Sequence, residues 1–183
     1  MPLDPLADAQ GTIARGLEQL DADDPHGAML TFGLVLEADQ LPERTRASAL
    51  RHRGRAKERL GDLTGAIADF SAVVEMPNSP PGIKEESFGH RARMRQLLGQ
   101  YAESARDLID LGRMNFDVGN SEKAIELYTA VMEMSEAPPA LIEEALYCRY
   151  QAREQTSDRG GTFSDFRAWQ QMKAKSADDL NRA

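Results

Sequence analysis

A repeat with a period of 38 residues constrains the fold of this 183-residue chain more than any other feature. Each copy has two small residues, then a large apolar residue and then an aliphatic residue at fixed positions. In the middle copy these are Gly54, Ala66, Phe70 and Val73. The same positions hold Gly16, Ala28, Phe32 and Val35 one period earlier, and Ala92, Ser104, Leu108 and Leu111 one period later. Such a repeat indicates a row of supersecondary units, each burying its apolar face against its neighbours.

The middle copy shows how one unit is expected to fold. Gly61 and Asp62 interrupt a helical pattern, and apolar residues on both sides of them predict two antiparallel helices. This pattern resembles the tetratricopeptide repeat family, in which small residues such as Gly54 and Ala66 let two helix backbones approach closely. The resemblance covers most of residues 8–175. It implies an all-α fold, a right-handed superhelix of about nine antiparallel helices in a single domain.

Turn residues set the expected helix boundaries. Gly-Asp and Gly-Gln pairs break the helices inside a unit, and proline pairs separate one unit from the next. The predicted helices are 8–21, 25–38, 43–60, 63–75, 83–98, 101–117, 120–134, 138–155 and 162–175. We expect residues 1–7 to form a disordered N-terminal tail and residues 176–183 a flexible C-terminal tail.

The repeat changes register once. Ala124 takes the place of the second small residue, but it lies 20 residues after Ser104 rather than 38. The original period then returns, because Phe166 lies 38 residues after Tyr128. We therefore expect residues 101–117 to form one helix that ends the third repeat and begins the fourth, with a bend near Gly112. The alternative is that the match of the fourth repeat is a coincidence of helical amphipathicity.

Charge and cysteine content exclude several kinds of function. The net charge of −8 disfavours general binding to nucleic acids or anionic membranes. Cys148 is the only cysteine, which excludes an internal disulfide and a zinc site with several cysteines. Because it falls inside a predicted helix, we expect a buried structural thiol. The chain has no apolar stretch long enough to span a membrane and no signal peptide at its start, so a cytoplasmic location is expected.

No catalytic motif is present in the sequence. It contains no phosphate-binding glycine loop, no His-Glu-x-x-His motif and no nucleophile elbow. We therefore expect neither enzyme activity nor a cofactor.

Basic residues are concentrated in the predicted helices 43–60 and 83–98, which hold 11 of the 22 lysines and arginines. The family resemblance implies that the first helix of each unit lines a concave surface. It would place there Arg51, Arg55 and Arg59, with Arg93 on the next unit. We predict a positive groove for an acidic segment or a C-terminal carboxylate, since arginine binds carboxylates through paired hydrogen bonds. The alternative is a solvated helix face.

Two histidines, His52 and His90, occupy the same repeat position. Neighbouring helices lie about 8–10 Å apart, whereas metal ligands lie about 2 Å from the ion. We therefore expect the two histidines to line the groove rather than to bind a metal. Histidine in a groove would make ligand binding sensitive to pH.

The last predicted helix carries Phe163, Phe166, Trp169 and Met172 at helical spacing. Either these residues cap the exposed end of the stack, or the helix docks a partner protein through them.

The expected function is a protein-interaction module that binds a peptide or protein, with an acidic ligand favoured, on its concave face. One alternative is a small secretion or assembly chaperone that acts as a homodimer. Another is RNA binding through the two basic helices, which is disfavoured because no aromatic residues are interleaved with the arginines.

Overall fold

The computed structural model describes residues 5–38 and 40–180, and side chains from residue 8 to residue 174 except residue 39. These residues form nine helices and no strand, so the prediction of an all-α fold is confirmed. The helices are α1 (Pro5–Asp21), α2 (Pro25–Leu36), α3 (Glu43–Arg59), α4 (Leu63–Glu75), α5 (Pro81–Leu97), α6 (Tyr101–Asp117), α7 (Ser121–Met132), α8 (Pro139–Glu154) and α9 (Arg159–Leu180).

The first and last helices are longer than the sequence predicts, whereas the other seven agree within two residues at each end. α1 begins at Pro5, because proline suits the first turn of a helix. α9 begins at Arg159 and ends at Leu180. Residues 5–7 and 176–180 were predicted as parts of the tails and are helical. Residues 1–4 and 181–183 lie outside the described part of the chain.

Aspartate caps explain where three of the helices start. In each case the carboxylate accepts a hydrogen bond of 2.9 Å from the backbone N–H of a glycine three residues later. The pairs are Asp24 with Gly27, Asp62 with Gly65, and Asp158 with Gly161. A Cβ atom at any of these glycines would collide with the capping carboxylate. Gly161, which looks like a helix breaker in the sequence, is therefore a part of the α9 cap.

The helices form two compact units, Met1–Leu98 and Gly99–Ala183. In the N-terminal unit, α1 pairs with α2 and α3 pairs with α4, and α5 packs on both α4 and α3. In the C-terminal unit, α6 pairs with α7 and α8 pairs with α9, and α8 also packs on α6 and α7. α6 is one uninterrupted helix that begins a hairpin, as predicted. Its second predicted role, as the end of the preceding repeat, stays a prediction.

An aromatic ring on the second helix of a hairpin packs against a glycine on the first. The pairs are Phe32 on Gly16, Phe70 on Gly54, and Tyr128 on Gly112. A Cβ atom at residue 54 would lie 2.9 Å from a ring carbon of Phe70, which is fully buried. Gly112 was expected to bend its helix, but in the shifted register it is the equivalent of Gly54.

Buried carboxylates fix two of the hairpins. Asp69 accepts hydrogen bonds of 2.9 and 2.6 Å from Arg53 and forms an ion pair of 2.8 Å with Lys57. In the C-terminal unit the same arrangement joins Asp165 to Arg149, at 3.0 and 2.7 Å, and to Arg153, at 2.9 Å. A buried carboxylate is costly unless it is paired, so each cluster stabilises only one alignment of its two helices.

The glycine contact leads to a first prediction. The variant Gly54→Ala should be less stable than the wild type by about 1–3 kcal/mol, because its Cβ atom would push the buried Phe70 ring out of place. In the control variant Gly33→Ala, the added Cβ atom meets no other atom within 4 Å. This control should be as stable as the wild type or gain up to about 1 kcal/mol from the higher helix propensity of alanine. Urea unfolding measures both changes, and equal stability of the two variants would contradict the packing argument.

Candidate binding surface

The six residues predicted to bind a ligand lie on two neighbouring helices of the N-terminal unit. α3 carries four of them and α5 carries two, and these two helices are in contact. We call this surface the α3–α5 face: Arg51, His52, Arg55, Arg59, His90 and Arg93. The arginines of α3 follow one another at intervals of four residues, which places them on one side of the helix.

The two histidines have the same structural environment. The His52 ring stacks on Phe32 with a centroid distance of 5.4 Å, and the His90 ring stacks on Phe70 at 5.2 Å. Both phenylalanines are fully buried. Each imidazole therefore covers the apolar ring of the preceding hairpin, in keeping with the shared repeat position, whereas the predicted groove-lining role stays a prediction.

Both imidazoles are neutral at pH 7. Burial lowers the pKa of His52 to about 4, with a further contribution from Arg51 and Arg55. A nitrogen of Arg51 lies 2.8 Å from Nε2 of His52, so the neutral ring accepts this hydrogen bond. Burial also lowers the pKa of His90, and its Nδ1 lies 2.9 Å from a carboxylate oxygen of Glu58. A change of charge at these two residues would therefore require a pH below 6.5, and the pH-sensitive binding expected from the sequence stays a prediction.

Acidic residues neutralise much of the basic face. Glu86 pairs with Arg51, and Glu58 pairs with Arg93 as well as with His90. The sequence interpretation missed both glutamates. Glu86 precedes His90 by four residues on α5, and this helical spacing was the available signal.

Arg59 is also engaged. Its guanidinium donates a hydrogen bond of 2.6 Å to the carbonyl oxygen of Leu20 in the last turn of α1. Carbonyl groups at the end of a helix lack partners within that helix and carry its negative partial charge. Arg59 therefore joins α3 to α1, and its predicted role in ligand binding stays a prediction.

Arg55 differs from its neighbours, because it forms no hydrogen bond or ion pair with any residue that the structure describes. Its side chain is partly exposed. Burial is the main cause of the lowered pKa of His52 and His90, and the positive charge of Arg55 lowers both further. The α3–α5 face therefore presents one guanidinium without an ion pair, in the neighbourhood of two neutral imidazoles.

Beneath this surface, two buried nitrogen atoms have no hydrogen-bond partner among the described residues, Nε of Arg51 and Nδ1 of His52. Since Nε2 of His52 accepts a hydrogen bond, Nδ1 carries the proton, and both unpaired groups are donors. Because both atoms are buried, they are not donors that a ligand on this surface reaches directly.

The cysteine and the possible metal ligands were the other reactive groups considered in the sequence. Cys148 is buried in α8, and burial raises the pKa of its thiol, so the prediction of a buried cysteine is confirmed. Within residues 8–38 and 40–174, no three metal-binding side chains come together. None of the described helices has the length and apolar content that spanning a bilayer requires.

Comparisons with solved structures identify the fold. A putative kinesin light chain with nearly identical TPR-like repeats from Podosopora anserina is 16% identical, with a TM-score of 0.50, over 95% of this chain and 98% of that chain. A MamA protein is 18% identical, with a TM-score of 0.46, over 93% and 94% of the two chains. A tetratricopeptide repeat protein from Parabacteroides merdae ATCC 43184 is 15% identical, with a TM-score of 0.47, over 88% of this chain and 65% of that chain.

No protein-family profile matches the chain, and no curated protein sequence matches it significantly. The structural similarity to the TPR-like repeats shows that the chain has a TPR-like helical-repeat fold, as its sequence predicts.

The lowered pKa of His52 gives a second prediction. Between pH 6.5 and about 4 the unfolded chain binds a proton at this residue that the folded chain does not bind. The free energy of unfolding should therefore fall as the pH drops through this range, by at most about 1 kcal/mol per pH unit from this residue. The variant His52→Gln should show a smaller decrease, whereas His26→Gln, which removes an exposed histidine, should behave like the wild type. Unfolding curves from pH 7 to pH 5 test this, and equal slopes for all three proteins would contradict it.

Proposed function

We propose that this chain is a protein-interaction module that binds a carboxylate-bearing segment of another protein on the α3–α5 face. The observation that carries the proposal is the guanidinium of Arg55, which forms no ion pair with a described residue and lies close enough to His52 and His90 to influence the pKa of both. The TPR-like fold supports it, since helical repeats of this kind create extended binding surfaces.

The number of free charges favours one carboxylate over a long acidic stretch. Arg51 and Arg93 are paired with glutamates, and Arg59 with a backbone carbonyl. Arg55 alone among these arginines is available to form the paired hydrogen bonds that a guanidinium makes with a carboxylate. The ligand is therefore a segment that presents a single carboxylate, at a chain terminus or on one side chain.

The two glutamates limit the attraction for highly charged ligands. Because Glu86 is paired with Arg51 and Glu58 with Arg93, a ligand with several adjacent negative charges would find only one free cation among the arginines of this face. The same limit applies to a nucleic-acid backbone, which carries a charge at each phosphate. RNA binding through α3 and α5 is accordingly disfavoured by this geometry as well as by the absence of interleaved aromatic residues.

A third prediction tests the proposal directly. The variant Arg55→Glu should weaken the capture of carboxylate-bearing peptides at least about tenfold, because it removes the hydrogen bonds and introduces repulsion. Arg15→Glu, which reverses an exposed arginine on α1, is the matched control and should bind like the wild type. Binding is measured with a peptide array. Each peptide is present with a free C-terminal carboxylate and with a C-terminal amide. A further set replaces Asp by Asn and Glu by Gln.

Two results would reject the proposal. One is that Arg55→Glu captures the same peptides as the wild type. The other is that conversion of every carboxylate to an amide leaves capture unchanged. Charge reversal at Arg51 is a poorer test, because it places a carboxylate beside Glu86 and would reduce stability as well as binding.

A further inference from the structure

The outer side of α9 carries an exposed aromatic residue between two arginines. Arg159, Phe163 and Arg167 are spaced four residues apart and therefore share one side of the helix. Phe163 is 63% exposed, and the guanidinium of Arg167 lies 5.7 Å from the centre of its ring. A helix that only caps a repeat array has a polar outer side, and this stripe departs from that rule.

The repeat explains why Phe163 is uncovered. The hairpin of α8 and α9 has the same buried Arg–Asp cluster and the same aspartate cap as the hairpin of α3 and α4. By this correspondence Phe163 takes the place of Ile67, which packs in a cluster with Met94 of α5. No described helix follows α9 as α5 follows α4. Phe163 therefore lies where a further helix would pack.

A pocket of about 680 Å³ adjoins the exposed ring. Tyr150 and Phe166, whose ring centres are 5.5 Å apart, form its aromatic side, and Phe163 and Arg159 also line it. Tyr150 occupies the position in the α8–α9 hairpin that Gly54 occupies in the α3–α4 hairpin. At this position a tyrosine side chain therefore replaces the glycine on which an aromatic ring packs in the α3–α4 hairpin. Polar side chains, among them Thr156, Ser157 and Thr162, line the rest of the pocket, so its aromatic side is the part that suits an apolar side chain.

The charges around the pocket define its ligand. Neither Arg159 nor Arg167 forms an ion pair with a described residue. Asp158 caps α9 and pairs with Arg153, whereas Glu154 lines the pocket and accepts a hydrogen bond of 2.7 Å from the Tyr150 hydroxyl. The stripe of Arg159, Phe163 and Arg167 itself is basic and aromatic, in a chain whose net charge is −8.

We propose that α9 is a second docking surface, which binds an acidic amphipathic segment of a partner protein. An apolar side chain of that segment enters the pocket beside Phe163, and carboxylates on its flanks pair with Arg159 and Arg167. The partner segment packs on α9 in the way that α5 packs on α4. It is independent of the α3–α5 face, because different residues and a different ligand pattern are involved.

The test uses the full chain and two synthetic amphipathic peptides of about four helical turns with the same apolar residues. One peptide carries glutamates on its polar side and the other carries lysines at the same positions. Trp169, the only tryptophan, lies on α9 with its ring centre 6.3 Å from that of Phe166, which lines the pocket, so its fluorescence should respond to binding there. The acidic peptide should bind and change this fluorescence, and the basic peptide should not.

Variants locate the binding and give the fourth prediction. Phe163→Ala, and separately the double reversal R159E/R167E, should each raise the dissociation constant of the acidic peptide at least about tenfold. Arg106→Glu, an exposed reversal on α6, is the matched control and should have no effect, and Arg55→Glu should have none either. The variants involve exposed side chains, and their thermal unfolding should match that of the wild type.

Three results would overturn the proposal. The acidic peptide binds no better than the basic one, or Phe163→Ala leaves its dissociation constant unchanged. The third is a concentration-dependent dimer of the wild type, seen by sedimentation and abolished by Phe163→Ala, which would identify the surface as a contact between two copies of this chain.

Discussion

The packing of an aromatic ring on a glycine backbone determines most of what the N-terminal unit presents to a ligand. Phe70 lies against Gly54 on one side, and its other side is covered by the His90 ring. Because Gly54 has no Cβ atom, the Phe70 ring lies directly on the α3 backbone, and α4 packs close to α3. α5 then contacts both α4 and α3, and His90 on α5 stacks on the same ring. This contact therefore sets the alignment of α3 with α5 and the place of Arg55 near the two imidazoles.

Ion pairs then decide which charges remain available. An arginine count alone describes the α3–α5 face as strongly basic, yet its glutamates and the α1 carbonyl group engage all of its arginines but one. The same principle applies to α9, where Arg159 and Arg167 form no ion pair with a described residue. In both places the free cations, rather than the total number of cations, define the ligand that the surface can accept.

Much of this fold could be predicted from the sequence, because the repeat sets spacing and the turn residues set helix ends. The buried rings of Phe32 and Phe70 and the role of Gly54 follow from that pattern. The charge pairing did not follow, since Glu58 contacts residues more than 30 positions away on another helix, and the spacing within one helix does not reveal such contacts. The start of α9 was misplaced for a related reason, because Gly161 acts through the carboxylate of Asp158 and not through its own flexibility.

The stacking of imidazole on phenyl rings has a further consequence. Protons that lie over an aromatic ring experience its ring current, which shifts their magnetic resonance to lower frequency. The ring protons of His52 and His90 are in this position, whereas His26, the third histidine of the chain, is exposed. The molecule therefore contains two intrinsic spectroscopic labels within the α3–α5 face and one reference outside it. Chemical shifts of three side chains report how ligands, salt or temperature alter this surface without any added probe.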